Sequence, residues 1–485
     1  VFDRRFILKA MTGAAVTSAA GCTRIALSER TLLPSQEETW ELMLRMNALG
    51  PRYTGAPAHH AFIDMLAEGF ERLGLDVRSE EQRFTRWDAR RVSLTVTVPG
   101  SSPEDIEIAS AYPYSGPTPA QGVEGRLVDG GSATAPRLPD DLSDAILYLD
   151  APVPTLPFGE WYESPRTYGD LAALPQAVSH AAAQIVTAPN LEEYARRGAK
   201  GVILGWTTLS EAHVRHQYIP FNRPMQSVAG VWVGPGAAAR LKALARSGAQ
   251  ATLTLDAEIT PNAASRTIYA ELSGASRELL ILNTHTDGPN AVEENGPIAI
   301  LALARRLTRL PASERRRSVL FLLASGHFVG PQVESTEGFV KAHPDLLERT
   351  AAALGVEHLG ALEWADLPDG TYGPTGLPET SLFFSKDERL AAHALAVARG
   401  KDVRGAILDP MQLSYFFGEG RPLARAGVPT IGFLPAPSYL LASPPNGAID
   451  RVDPKLMYAQ IQMLAELLDR LDASRDLSPA NVKAR

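Results

Sequence analysis

The chain has 485 residues, of which 45% are hydrophobic and 21% charged, enough for two to three domains with a sizeable core. A net charge of -8 gives no reason to expect a nucleic-acid partner, whose recognition needs a basic patch. The single cysteine, Cys22, excludes a disulfide framework and a thiolate metal site in the body of the protein, so a metal must be held by His, Asp and Glu.

Residues 1–22 read as a targeting segment. Arg4-Arg5 before Phe6-Ile7-Leu8-Lys9 and a small apolar run resembles a twin-arginine export signal, and Ala19-Ala20-Gly21-Cys22 resembles a lipobox. The expectation is export across a bacterial inner membrane, to a protein anchored by a lipid on Cys22 as its only membrane contact or, alternatively, to a soluble periplasmic or extracellular one cleaved nearby.

From Ser35 the pattern is helical: Trp40, Met43 and Met46 mark one amphipathic stretch, and Phe62, Leu66 and Phe70 mark a second, closed by Gly74. Between them Gly50-Pro51-Arg52-Tyr53-Thr54-Gly55 is a turn. Leu75-Asp76-Val77 opens a strand and Val92 to Val98 alternates like a half-buried one. Residues 35–111 are expected to be the first part of the main domain. Residues 112–260 are denser in Pro and Gly, with short apolar strands between loops. Their helix, Gly198-Ala199-Lys200-Gly201 and apolar strand resemble a protease-associated domain, which would be an insertion. His213 and His216, His59-His60 and His343 read as surface residues rather than ligands.

From 265 to 472 strands and helices alternate, ending in a polar tail over 473–485. The fold class expected is α/β, a doubly wound and mostly parallel sheet with helices on both faces and an inserted smaller α/β domain. Such sheets carry their sites at the carboxyl ends of the strands. Four such places carry metal-capable residues: His285 and Asp287, Glu293 and Glu294, His327, and Glu357 with His358. Imidazoles and carboxylates converging from separate strands suit zinc or a similar divalent ion.

The order of these elements resembles the co-catalytic zinc aminopeptidases and glutamate carboxypeptidase, over nearly the whole chain. The resemblance implies that His285 is a ligand oriented by Asp287, that Glu294 bridges two metals and that Glu357 holds one. It departs where the family has Glu-Glu, here Ser325-Gly326 followed by His327. It departs again at the last His ligand, here Ser443, and at Ser-Asp-His, here Gly418-Glu419-Gly420. His327 and His358 are expected to complete the centre or hold a second ion, and Glu293 to replace the missing general base. The function expected is metal-dependent cleavage of a peptide or small amide, with one or two ions per chain. The alternatives are a non-catalytic protein binding peptide or cell-wall fragments, and a mono-metal hydrolase of another amide or ester.

Overall fold

A computed structural model describes residues 32–162, 164–169, 174–399, 404–408 and 416–479. The expected export signal and Cys22 lie outside them. Helix α1 (Gln36–Ala48) starts at a capping box: the Ser35 hydroxyl accepts the Glu38 N–H, and Glu38 accepts the Ser35 N–H. Helix α2 (Pro57–Arg72) has proline in its first turn and buries Phe62, Ile63, Leu66 and Phe70. Strands β1 (Val77–Thr97), β2 (Val123–Ser132), β3 (Ala145–Ala151), β4 (Gly201–Trp206) and β5 (Ala229–Val233) follow, then helix α3 (Pro235–Arg246) and strand β6 (Gln250–Leu272). The rest alternates: β7 (Leu279–His285), α4 (Gly296–Thr308), β8 (Ser318–Ala324), β9 (Thr350–Val356), β10 (Ser381–Ser385), α5 (Glu388–Ala398), β11 (Thr430–Phe433) and α6 (Pro454–Ala473).

These strands join one large sheet in the order β5-β4-β3-β2-β6-β8-β7-β9-β11-β10, with β1 paired to β6. Strands β8, β7, β9 and β11 run parallel, and every residue of β7, β8 and β9 is buried, as a sheet covered on both faces requires. The α/β class read from the sequence is the observed one.

Long strands run through the boundary expected near residue 260. Strands β1 and β6 form one antiparallel ribbon from Val77 opposite Ala270 to Thr97 opposite Gln250. The start of β6 pairs with β2 and its end with β8, so one strand belongs to both halves. The middle of this ribbon is charged and half-exposed, so apolar alternation fades there while backbone pairing continues. Residues 112–260 also pair with the later part of the chain at two further places. Thr167–Tyr168 pairs with Ala406 and Gly405, and Gln217 bridges Ala442.

Two histidines read as surface groups are buried. His213 Nδ1 lies 3.0 Å from Asp366 and its Nε2 3.3 Å from the Ser438 carbonyl; the neighbouring His216 is exposed. His59 accepts the Gly55 N–H at 3.0 Å and meets Thr286 Oγ1 at 2.8 Å. Neither histidine bears on the metal-capable cluster directly, and a spacing argument cannot see partners more than a hundred residues away.

Candidate metal centre

Strand β7 delivers His285 at its last residue, and its parallel neighbours end level with it, so the loops after β7, β8 and β9 converge. The turn before α4 carries Glu293 and Glu294. Asn295 fixes that turn: its amide donates to the Leu359 carbonyl and accepts the Leu359 N–H, both at 2.8 Å. This ties Glu293 to the loop holding Glu357 and His358. Gly296 is required because a Cβ there would collide with the Val356 carbonyl and Thr284.

Three histidines meet at this point with the same arrangement. His285 Nδ1 is 2.7 Å from the Asp287 carbonyl, His358 Nδ1 is 2.7 Å from the Pro435 carbonyl, and His327 Nδ1 is 2.7 Å from Glu419 Oε1. Each acceptor fixes the proton on Nδ1 and leaves Nε2 as the ligand nitrogen. His285 Nε2, His358 Nε2 and Glu293 Oε2 are buried with no hydrogen bond to backbone or to a neutral side chain, and face only one another and Glu357. Unpartnered buried polar atoms are costly unless something absent from the protein chain satisfies them. Ligand atoms of His285, Glu357 and His358 lie within 4.8 Å of one another, as do those of His285, Glu293 and His327. Imidazole nitrogens held from behind by carbonyls or a carboxylate fit zinc or a similar divalent ion.

The electrostatics agree with a tightly coupled site. Burial alone would push the His285 imidazole down, but Glu357, with Glu293 and Asp287 behind it, raises it to about 10. His358 is raised in the same way against its burial, chiefly by Glu293 at 3.0 Å. Burial works against the Glu357 charge, and His285 at 3.5 Å outweighs it and lowers the carboxyl. His358 holds a backbone φ of 62°, in the left-handed region that a side chain seldom occupies and that recurs at functional sites.

The carboxylates divide differently from what the resemblance implies. Glu294, expected to bridge metals, belongs to neither ligand group; it lies against the Arg52 guanidinium in a fully buried ion pair. Glu293, expected as a base, is the one facing the histidines. Asp287 does orient His285, but through its backbone carbonyl. Its carboxylate instead accepts the Phe328 N–H at 3.0 Å and the Thr54 hydroxyl. Ser325 turns away to meet Ser265 Oγ at 2.6 Å, while Ser443 Oγ faces the Pro289 carbonyl.

Two groups were missed by reading the sequence. Arg52 arrives from the Gly50–Gly55 turn, which exchanges backbone hydrogen bonds with Gly288. Glu419 backs His327, and its own N–H donates to Glu357 Oε1 at 2.9 Å. An arginine inside a Gly-Pro-bounded turn, and a lone glutamate between two glycines, were the signals available. His327 is the most exposed of the cluster, at 21% of its side chain. Phe221 from the inserted part packs against it at 5.2 Å.

No family model and no curated protein matches this sequence. Solved structures do. The aminopeptidase from Aneurinibacillus sp. strain AM-1 aligns at TM-score 0.62 and 16% identity, over 93% of this chain and 96% of that one. A peptidase M28 precursor from Shewanella amazonensis SB2B aligns at 0.62 and 17%, over 91% and 97%. The zinc aminopeptidase BSAP from Bacillus subtilis aligns at 0.62 and 15%, over 93% and 100%. The chain shares the fold of these proteins over 91–93% of its length.

Proposed function

We propose that this protein is a metal-dependent hydrolase of peptide or small amide bonds. The observation that carries the reading is the convergence of His285 and His358, each with Nδ1 fixed and Nε2 facing buried carboxylates, on Glu357. His285, His358 and Glu357 would hold the ion. A metal there supplies Lewis acidity, polarising a carbonyl and lowering the pKa of its water to about 7.

The chain's own groups do the rest. Glu293, buried with its Oε2 3.0 Å from His358 Nε2, accepts the proton from the attacking water and passes it to the leaving amine. His327, held by Glu419, presents Nε2 on the more open side, where its lone pair can accept a hydrogen bond from a substrate N–H. The rings of Phe221 and Phe328 beside it favour an apolar group next to the scissile bond. The fold shared with zinc aminopeptidases supports the reaction class. The inserted part, resembling a protease-associated domain, would cover the substrate. Export with a lipid on Cys22 belongs to the same proposal; no helix among the described residues is long and apolar enough to cross a membrane.

The test is hydrolysis of aminoacyl and peptidyl p-nitroanilides by zinc-, manganese- or cobalt-loaded protein. Chelator-sensitive release of nitroaniline is expected. Metal binding with no turnover on either series would favour the non-catalytic alternative.

A further inference from the structure

Two adjacent glutamates at the centre face opposite charges. Glu293 faces His358, and Glu294 faces Arg52. From this division we infer that the centre takes a single divalent cation, and that the Arg52–Glu294 pair is a fixed internal ion pair excluding a second. The inference rests on the metal reading above and deepens it.

Three observations carry it. The two possible ligand groups, His285 with Glu357 and His358, and His285 with Glu293 and His327, both require His285. Its Nδ1 is committed to the Asp287 carbonyl, so only the Nε2 lone pair is left, and one lone pair serves one ion. The groups are therefore two faces of one site.

Of the buried carboxylates outside both ligand groups, Glu294 is the one the resemblance offers for a second position, and the Arg52 guanidinium lies against its Oε1. The Arg52 guanidinium cannot withdraw. It donates to the Met46 carbonyl at 3.0 Å, to the Asn290 carbonyl at 3.1 Å and to the Gly50 carbonyl. Its backbone is paired with Gly288. A Cβ at Gly288 would collide with Glu294, so the glycine leaves the carboxylate its only room. Arg52 and Glu294 are both buried, where a second dication next to a guanidinium would meet weakly screened repulsion.

Among the described residues, the two positions where the resemblance places further ligands offer none. Ser325 Oγ is bound to Ser265 and Ser443 Oγ points at the Pro289 carbonyl. Neither is an anion or an imidazole.

The experiment is zinc content of the purified full chain by elemental analysis after saturation and exhaustive dialysis, with the cobalt visible spectrum as a second readout. One equivalent per chain is expected, with the cobalt bands saturating at one. His285→Ala should lose the ion, while Glu294→Gln keeps it at one equivalent. Two retained equivalents in the unmodified chain would overturn this inference and leave the hydrolase reading standing; none would overturn both. Loss of the ion in Glu294→Gln, with circular dichroism showing an intact fold, would make Glu294 a ligand and overturn the inference alone. Thermal melts check the pair without metal. Arg52→Met and Glu294→Gln should each lower Tm, and the double variant should melt above the sum of the two drops. Strict additivity would overturn the ion pair.

Discussion

Nδ1 of His327 lies 2.7 Å from Oε1 of Glu419, two residues that come from different loops and meet only when the sheet is assembled. The other carboxylate oxygen accepts the Ser335 hydroxyl at 2.9 Å and the Thr336 hydroxyl. Burial would raise this carboxyl, yet the His327 hydrogen bond and its charge bring it down to about 2. Replacing Glu419 by Ala strands His327 and Thr336, and should destabilise the protein by about 3–5 kcal/mol, as breaking a buried pair does. Glu419→Gln keeps the neutral hydrogen bonds and should lose less. Urea unfolding at pH 7 measures both.

Glu293 and His285 separate proton transfer from metal holding. Glu293→Gln should retain bound zinc while lowering kcat by ~10²–10⁴-fold, the usual contribution of a general base. His285→Ala should lose the zinc itself. Zinc analysis beside kcat on a p-nitroanilide substrate distinguishes them, and loss of zinc from Glu293→Gln would make it a ligand instead.

Two buried histidines away from the ligand set make the fold acid-sensitive. Burial pushes His59 and His180 each down to about 4, below the ~6.5 of a solvated imidazole. Between these values the unfolded chain binds more protons than the folded one, so stability is full above pH ~6.5 and falls as pH drops through 4. Each histidine should steepen that fall by about 1.4 kcal/mol per pH unit. His180→Gln should flatten the slope of unfolding free energy between pH 6 and 4 by that amount.

Gly326 has φ 102°, and a Cβ there would run into Val333. Gly326→Ala should therefore destabilise the protein by about 1–3 kcal/mol and displace His327, the next residue. Chemical denaturation gives the first effect. A weakened stacking of His327 on His285, whose rings are 4.3 Å apart, would appear as altered histidine NMR shifts.

The sheet was legible because buried parallel strands write themselves as apolar runs: Leu279 to Leu282 and Val319 to Ala324 needed no partner to be recognised. The long β1–β6 ribbon was read as separate strands because its middle residues are solvated and carry no periodic apolar signal. The metal-capable residues were legible as types at strand ends. Their division of labour was not, since Glu293 and Glu294 are identical in chemistry and adjacent in sequence.

Sequence alone determined the α/β class and the strand ends at which the metal-capable residues stand, because these follow from composition and periodicity. Tertiary structure decided that Glu294 faces Arg52 and that Glu419 stands behind His327. It also decided that Asp287 acts on His285 through its carbonyl rather than its carboxylate. The physical reason is that a charged group's role is set by whichever counter-charge or acceptor shares its buried volume. Arg52 and Glu294 are 242 positions apart in the chain, and only the packing of the Gly50–Gly55 turn onto Gly288 brings them together.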